Sequence, residues 1–261
     1  MRWFVVFAIL AVTACGASST PSSMTPLQQW MAAKPFYIAH RGGDGSWPES
    51  TAYAYERAAA WNPNLALEVP VWRTSDGVWV VSEDSSTGRV FDSNFVIEAT
   101  RWSTLAALRT RRGGHPMARL VENILTPYGR DRILFVDDKA DRNVGSLLDL
   151  LDSYGGNGRC VIKSFWASVQ APAQAHARGY LTWGYYYSKD MRHFAATQSK
   201  FDTLGLNYDA PTVDFAILSA TGKPIIAHII RSAAAAASSL RKGAQGLMVS
   251  AVEKVVPQSK S

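Results

Sequence analysis

The sequence has few cysteines, a modest share of charged residues and no long apolar segment, and each of these shortages excludes a class of protein. Two cysteines in 261 residues cannot build a disulfide-rich scaffold. Charged residues make up only 18% of the chain, which argues against a coiled coil or an acidic tail. A transmembrane helix needs about 20 apolar residues, and the apolar run Trp3–Val12 is too short for one.

The composition instead favours a compact domain with many aromatic rings. Hydrophobic residues make up 47% of the chain and aromatic residues 11%, enough to fill the core of one large domain or two small ones. The 27 Lys and Arg residues exceed the 21 Asp and Glu residues, so the formal net charge is +6. That excess permits an anionic partner, but no nucleic-acid-binding motif accompanies it, so we expect no nucleic acid partner.

The first 15 residues have the pattern of a bacterial lipoprotein signal. Arg2 precedes the apolar run Trp3–Val12, and the small residues Thr13 and Ala14 then lead to Cys15. We therefore expect residues 1–14 to be a signal peptide and Cys15 to carry a lipid, with residues 15–26 as a flexible tether. The resulting protein is expected to be extracytoplasmic and lipid-anchored to the bacterial cell membrane.

Short β-like runs separated by helical patterns predict an α/β fold with a parallel sheet. Nine runs follow residue 27, one more than the eight strands of a TIM (β/α)8 barrel, so one run must be accessory. We expect a distorted TIM barrel over residues 27–252 and a C-terminal tail over residues 253–261. The predicted strands are Phe36–Ala39, Leu65–Val71, Val78–Val81, Ile133–Val136, Cys160–Phe165, Leu181–Tyr187, Leu204–Tyr208, Pro224–Ile230 and Gly246–Val249, and the clearest predicted helices are Thr51–Trp61, Val144–Ser153, Trp166–Arg178 and Ser232–Arg241.

One pair of runs predicts a β-hairpin over Val71–Val81 rather than a βα unit. An Asp-Gly pair between alternating apolar residues is a strong hairpin signal. If Asp76 and Gly77 are the two loop residues, Pro70 lies opposite Glu83 in the hairpin.

The first candidate for chemistry is His40-Arg41-Gly42-Gly43, at the end of the first predicted strand. Barrel strands present catalytic side chains at their carboxyl ends. A histidine exchanges protons near neutral pH, and an arginine beside it binds a phosphate through two N–H groups. His40 and Arg41 alone are also compatible with a purely structural contact. The motifs that follow them in the sequence distinguish the two interpretations.

Further motifs follow it in a fixed order: Pro48-Glu49-Ser50-Thr51, Leu67-Glu68, Val80-Val81-Ser82-Glu83-Asp84, Asp137-Asp138-Lys139, Ser164-Phe165 and Gly243–Ser250. In this order the chain resembles the glycerophosphodiester phosphodiesterase family from about Tyr37 to Ser250. The resemblance implies a distorted TIM barrel that hydrolyses glycerophospho-alcohols to an alcohol and glycerol phosphate, with one divalent cation.

The resemblance also implies roles for individual residues. His40 matches an acid/base histidine of the family, while Arg41 and Lys139 match residues that contact the phosphate. Glu68 matches the first metal-binding carboxylate, and Glu49 matches the glutamate of the family's Pro-Glu-Asn motif.

Three positions depart from the family pattern. Pro70 replaces an aspartate, Glu83 replaces the second histidine, and Asp137 replaces a glutamate. Pro70 offers no side-chain ligand atom, so Glu83 is expected either to complete the metal site or to replace the missing histidine as an acid.

The site expected from the sequence therefore has three parts. Carboxylates suit Mg²⁺ or Ca²⁺, so one such cation is expected at a four-carboxylate site. The expected metal ligands are Glu49, Glu68, Glu83 and Asp137; the expected catalytic residues are His40, Arg41 and Glu83; and the expected substrate contacts are Arg41, Lys139, Trp183 and His228.

Two hypotheses about function remain open at this point. The first is a metal-dependent phosphodiester hydrolase that acts on glycerophospho-alcohols or related lipid phosphodiesters. The second is a catalytically degenerate barrel that binds a lipid or a cell-envelope ligand. For Trp183 and His228, the alternative to substrate contact is a place in the core.

Overall fold

A computed structural model describes residues 24–259 of the chain. Eight parallel strands close into a barrel, because the first strand pairs with both the second and the last. The fold is therefore the predicted TIM-barrel-like α/β fold. The strands are β1 (Phe36–Ala39), β2 (Ala66–Arg73), β3 (Trp79–Val81), β4 (Leu134–Asp138), β5 (Cys160–Phe165), β6 (Leu181–Tyr186), β7 (Thr203–Asn207), β8 (Ile225–Ile230) and β9 (Gly246–Val249).

Ten α-helices occur within the described residues. None of them is long and apolar enough to cross a membrane. The segment predicted to be a lipoprotein signal lies outside the described residues. The helices are α1 (Pro26–Ala32), α2 (Ala52–Trp61), α3 (Trp102–Leu105), α4 (Thr126–Tyr128), α5 (Val144–Ser153), α6 (Gln170–Ala177), α7 (Phe194–Thr197), α8 (Thr212–Ser219), α9 (Ala233–Arg241) and α10 (Val252–Val255).

The accessory strand is β3, which pairs with β2 in an antiparallel hairpin and lies outside the closed barrel. The hairpin is as predicted, but its register is not. Val71 pairs with Val81, and the N–H of Ser82 donates to the carbonyl of Pro70. Pro70 therefore faces Ser82, and the expected pairing of Pro70 with Glu83 is wrong by one residue.

The length of the hairpin loop explains this difference. The N–H of Thr74 donates to the carbonyl of Val78, so the loop contains three residues, 75–77, instead of two. Gly77 has a φ of 87°, the left-handed conformation that completes such a loop. An Asp-Gly pair fits both loop lengths, so the sequence alone does not distinguish them.

Helix α6 is shorter than the predicted Trp166–Arg178 because its first turn is displaced. The N–H of Trp166 donates to the carbonyl of Tyr185 and so continues the sheet. The helix then begins where the Asp141 carboxylate accepts hydrogen bonds from the N–H groups of Val169 and Ala171, at 3.0 and 2.8 Å. A residue on another βα loop thus caps this helix.

The interior of the barrel has an apolar lower layer. Leu27 and Trp30 of α1 close its amino-terminal end, where the Trp30 ring packs 4.7 Å from Phe36 and 5.9 Å from Phe135. Trp183 packs edge-on against Phe135 at 5.8 Å and is only 1% exposed. Trp183 is therefore a core residue, and the expectation that it contacts substrate is corrected.

Side chains on a strand alternate between its two faces, so the next inward positions form a second layer nearer the carboxyl ends of the strands. Glu68 follows Ala66 in this way, Asp137 follows Phe135, and Lys163 follows Val161. The polar layer thus lies directly above the apolar one, and it contains the candidate site.

Candidate active site

A strained turn holds the first candidate residues at the end of β1. His40–Gly42 form a single 3-10 turn in which Arg41 has a φ of 51°, a conformation rare for a residue with a side chain. The N–H of Arg41 donates to Glu68 Oε2 at 2.7 Å. A buried carboxylate on β2 thus stabilises the turn that presents both His40 and Arg41.

His40 has a carboxylate partner that the motif analysis did not anticipate. Its Nδ1 lies 3.0 Å from Asp44 Oδ1. Burial works to raise the pKa of Asp44, but the hydrogen bond and the charge of His40 outweigh it and lower that pKa to about 2. A carboxylate only accepts hydrogen bonds, so Nδ1 carries a proton and Nε2 is left as the atom available to a ligand.

The innermost part of the site is a buried lysine between two carboxylates. Lys163 on β5 is 5% exposed, and its Nζ lies 2.6 Å from Asp137 Oδ2 and 3.1 Å from Glu68 Oε1. Burial would lower the pKa of Lys163, yet the charges of Asp137 and Glu68 raise it well above its usual value. For Asp137, burial is again outweighed, and the neighbouring Lys139 and Lys163 lower its pKa. Burial is outweighed at Glu68 as well, where the charge of Lys163 lowers the pKa. The contact of Glu68 Oε1 with Lys163 is an ion pair without a hydrogen bond among residues 24–259.

The next contacts lead from this core toward the mouth of the barrel. Lys139 Nζ lies 3.2 Å from Asp137 Oδ2 and 3.0 Å from Glu83 Oε1. Glu83 Oε1 is also 3.3 Å from Arg41 Nη2. Glu83 therefore points into the site, although it does not lie opposite Pro70, and there it joins the two residues expected to contact phosphate.

Glu49 lies at the outer edge of the site, between two arginines. Arg41 Nη1 is 3.4 Å from Glu49 Oε1, and Arg89 donates to both carboxylate oxygens at 2.6 and 2.8 Å. Arg89 also donates to Asp84 at 2.5 Å. Anions and cations thus alternate from the core to the rim, in a series that we call the charge chain: Glu68, Lys163, Asp137, Lys139, Glu83, Arg41, Glu49, Arg89 and Asp84.

These contacts do not fit the expected four-carboxylate metal site. A single cation needs several carboxylate oxygens directed at one point, whereas each of the expected ligands already contacts a lysine or an arginine. Among residues 24–259, no group of three or more His, Cys, Asp or Glu residues is placed to hold a metal ion. The expectation for Glu49, Glu68, Glu83 and Asp137 is therefore corrected. The expected metal site fails because of Lys163, whose ammonium group lies between Glu68 and Asp137, two of these four carboxylates.

His228, the other expected substrate contact, is buried in an aromatic wall. It is 3% exposed, and its Nε2 donates to the carbonyl of Tyr186 at 3.1 Å. Burial and the nearby charge of Lys163 lower the pKa of His228 to about 3. The rings of Tyr185 and Tyr187 pack edge-on against it, and of these three side chains Tyr187 is the one that is exposed, at 38%. His228 is therefore a hydrogen-bonded residue of the core, the alternative left open by the sequence, and its contact with substrate stays a prediction.

Comparison with solved structures first defines the class of fold. A putative glycerophosphoryl diester phosphodiesterase from Agrobacterium tumefaciens superposes with a TM-score of 0.74 at 17% identity, over 83% of this chain and 94% of that one. A phosphodiesterase from Oleispira antarctica in complex with the product sn-glycerol-3-phosphate gives 0.71 at 18% identity, over 85% and 95%. A glycerophosphoryl diester phosphodiesterase from Parabacteroides distasonis gives 0.67 at 15% identity, over 91% and 96%. The chain thus has the fold of these TIM-barrel enzymes.

The particular family follows from the sequence itself. The model of the glycerophosphoryl diester phosphodiesterase family matches residues 40–178, more than half of the chain. The chain therefore belongs to this family and has a phosphodiesterase-like function. Enzymes of the family generally depend on a divalent metal, which makes the contacts of Lys163 the main departure in this site.

Proposed function

We propose that this protein hydrolyses glycerophospho-alcohols, releasing an alcohol and glycerol phosphate. The observation that carries the proposal is that Arg41, beside His40 at the end of β1, and Lys139, after β4, contact the same oxygen of Glu83. At the same place, Arg41 Nε and Glu83 Oε2 are buried without a hydrogen-bond partner among residues 24–259. Such unpaired polar atoms cost free energy unless a ligand satisfies them.

The phosphate is proposed to bind between Arg41 and Lys139. Both cations contact Glu83 Oε1, so their charged groups converge on one point. Their side chains are 16% and 13% exposed, which leaves them accessible from the mouth. An arginine offers two parallel N–H groups to phosphate oxygens, and a lysine adds a compact positive charge.

His40 is proposed as the principal acid/base. Hydrolysis removes a proton from the attacking oxygen and delivers one to the oxygen of the leaving alcohol. The Nε2 atom of His40 serves one of these transfers because Asp44 holds Nδ1. Glu83 stands where the family pattern has a second histidine, and it is the candidate for the other transfer.

The proposal is tested by phosphorus NMR of glycerophosphocholine incubated with the full chain. We expect glycerol phosphate to appear, and we expect His40→Ala to slow its release by about 10² to 10⁴ fold. His115→Ala is the control, because the His115 ring stacks on Tyr53 and, among residues 24–259, makes no hydrogen bond or ion pair with a member of the charge chain. An equal rate in wild type and His40→Ala would contradict the assignment.

The alternative of a binding protein without turnover has one observation in its favour, the replacement of the second histidine by Glu83. Under that alternative, the full chain binds glycerol phosphate in a calorimetric titration and releases none from glycerophosphocholine. Under the proposal, the full chain binds glycerol phosphate and also releases it from glycerophosphocholine.

Membrane anchoring through a lipid on Cys15 is proposed from the sequence pattern of residues 2–15. It implies an extracytoplasmic protein and a substrate among membrane-derived phosphodiesters. The test is incorporation of labelled palmitate in a bacterial host. The label should be lost in Cys15→Ser and kept in Cys160→Ser, since Cys160 is buried in the barrel wall. Label retained in Cys15→Ser would contradict the proposal.

A further inference from the structure

The buried ammonium group of Lys163 contacts both inner carboxylates, Glu68 and Asp137. Its distances, 3.1 Å to Glu68 Oε1 and 2.6 Å to Asp137 Oδ2, are those of direct ion pairs. The same two carboxylates are the deepest anions of the charge chain. The positive charge that Glu68 and Asp137 require is therefore already supplied by the protein itself, by Lys163.

We propose that Lys163 is the permanent cation of this site and that it replaces a bound divalent metal. The inference rests on the proposed function for its role toward substrate: the positive charge offered to a phosphodiester comes from Lys163, Lys139 and Arg41. Its structural part, that the inner carboxylates do not bind Mg²⁺ or Ca²⁺, stands independently of any reaction.

Charge and space both exclude a second cation at this point. Mg²⁺ and Ca²⁺ bind carboxylate oxygens at about 2.0 to 2.6 Å, and an ion shared by Glu68 and Asp137 would take the position of Lys163 Nζ. An ion displaced to one side would still meet the repulsion of an ammonium in a site with little screening by water. Lys139 adds a second positive charge on the other side of Asp137.

The surroundings hold Lys163 in place. Its Nζ lies 4.6 Å from the centre of the Tyr185 ring and 5.8 Å from that of Trp183, so two aromatic rings also surround the ammonium group. The strand neighbour of Asp137 on β2 is Pro70, which supplies no third carboxylate. Two inner carboxylates and one ammonium thus make up this part of the site.

The test is a calorimetric titration of the full chain with MgCl₂, CaCl₂ and MnCl₂. Wild type is expected to show no one-to-one binding at millimolar cation. Lys163→Met keeps a four-atom unbranched side chain and removes the ammonium group, so Glu68 and Asp137 lose the cation between them. This variant is expected to gain at least tenfold in affinity for one of the cations. Lys242→Met is the matched control, because Lys242 donates only to the carbonyls of Tyr208 and Ala210 and its loss should create no cation site.

Two results would overturn the inference. One is one-to-one binding of Mg²⁺, Ca²⁺ or Mn²⁺ by wild type that is lost in Glu68→Gln. The other is a folded Lys163→Met chain, verified by circular dichroism, that gains no cation affinity. Should Lys163→Met not fold, the comparison of wild type with Glu68→Gln decides alone.

Calorimetry records binding rather than turnover, so the two proposals fail separately. A chain that cleaves no glycerophosphodiester but binds no divalent cation refutes the proposed function and leaves Lys163 as the resident cation. A chain that cleaves the substrate and binds one Mg²⁺ through Glu68 refutes the inference and leaves the proposed function intact.

Discussion

Single carboxylates in this site act by fixing the orientation of their neighbours. Glu68 accepts the N–H of Arg41 and so stabilises a left-handed turn, and Asp44 accepts from His40 Nδ1 and so determines which ring nitrogen carries the proton. The family motif identifies His40 and Arg41 from sequence. Asp44 was missed because the carboxylate partner of a histidine follows no fixed spacing, although its place four residues later in the same turn was a usable signal.

Asp44 is expected to affect the rate through the orientation of His40. Asp44→Asn preserves size but removes the charge that favours the Nδ1–H form of His40, so we expect kcat for glycerophosphocholine to fall at least tenfold with little change in KM. Asp131→Asn, on the surface at the opposite end of the barrel, is the control and should leave both constants unchanged. Steady-state kinetics measures the effect, and an unaltered kcat in Asp44→Asn would show that His40 needs no orienting partner.

His228 gives a prediction about stability and pH. Its pKa is depressed in the folded chain to about 3, against about 6.5 when unfolded, so its contribution to stability is present above pH 6.5 and is lost as pH falls through this window. Between pH 7 and pH 4 this loss amounts to about 3 kcal/mol of the free energy of unfolding.

The variant that tests it is His228→Gln, whose amide can still donate to the Tyr186 carbonyl but does not titrate. Urea unfolding at pH 7 and pH 4 should show a smaller loss of stability in this variant than in wild type. His115→Gln should behave as wild type does. The same loss in all three chains would mean that His228 is not held neutral by burial.

At the scale of elements, what lies within one run of sequence was predictable and what depends on a distant segment was not. Helix α5 occupies the predicted Val144–Ser153. Helices α2 and α9 begin one residue after the predicted starts, because the Thr51 and Ser232 side chains cap them. The start of α6 was mispredicted, since its capping carboxylate, Asp141, belongs to the preceding βα loop. The register of the β2–β3 hairpin was wrong because an Asp-Gly pair allows two loop lengths.

Asp141 is expected to stabilise the fold by capping α6. Its carboxylate accepts hydrogen bonds from the N–H groups of Val169, Gln170 and Ala171, so Asp141→Ala leaves the first turn of α6 without its cap. We expect the free energy of unfolding to fall by about 1 to 2 kcal/mol in urea titrations. Asp131→Ala is the control, because it removes an exposed aspartate that caps no helix among residues 24–259, and it should leave the free energy of unfolding unchanged. An equally small effect in Asp141→Ala would show that α6 does not depend on this cap.

In the whole molecule, the charged interior forms only when the sheet closes into a barrel. The count of strands and their separation by helices predict the TIM barrel, because both are properties of the sequence order. The charge chain is different, since Asp137 and Lys163 lie 26 residues apart and meet because β4 and β5 are neighbours. The available signal was a lysine within the predicted strand Cys160–Phe165, at an inward position of the period-two pattern.

A glycerophosphodiesterase barrel that carries its own cation in Lys163 needs no added metal for turnover. The most direct measurement is the initial rate of glycerophosphocholine hydrolysis by the full chain in excess EDTA, compared with the rates in added Mg²⁺ or Ca²⁺. The account predicts the same rate in all three solutions and its loss in His40→Ala. A rate that vanishes in EDTA and returns only with added divalent cation would contradict it.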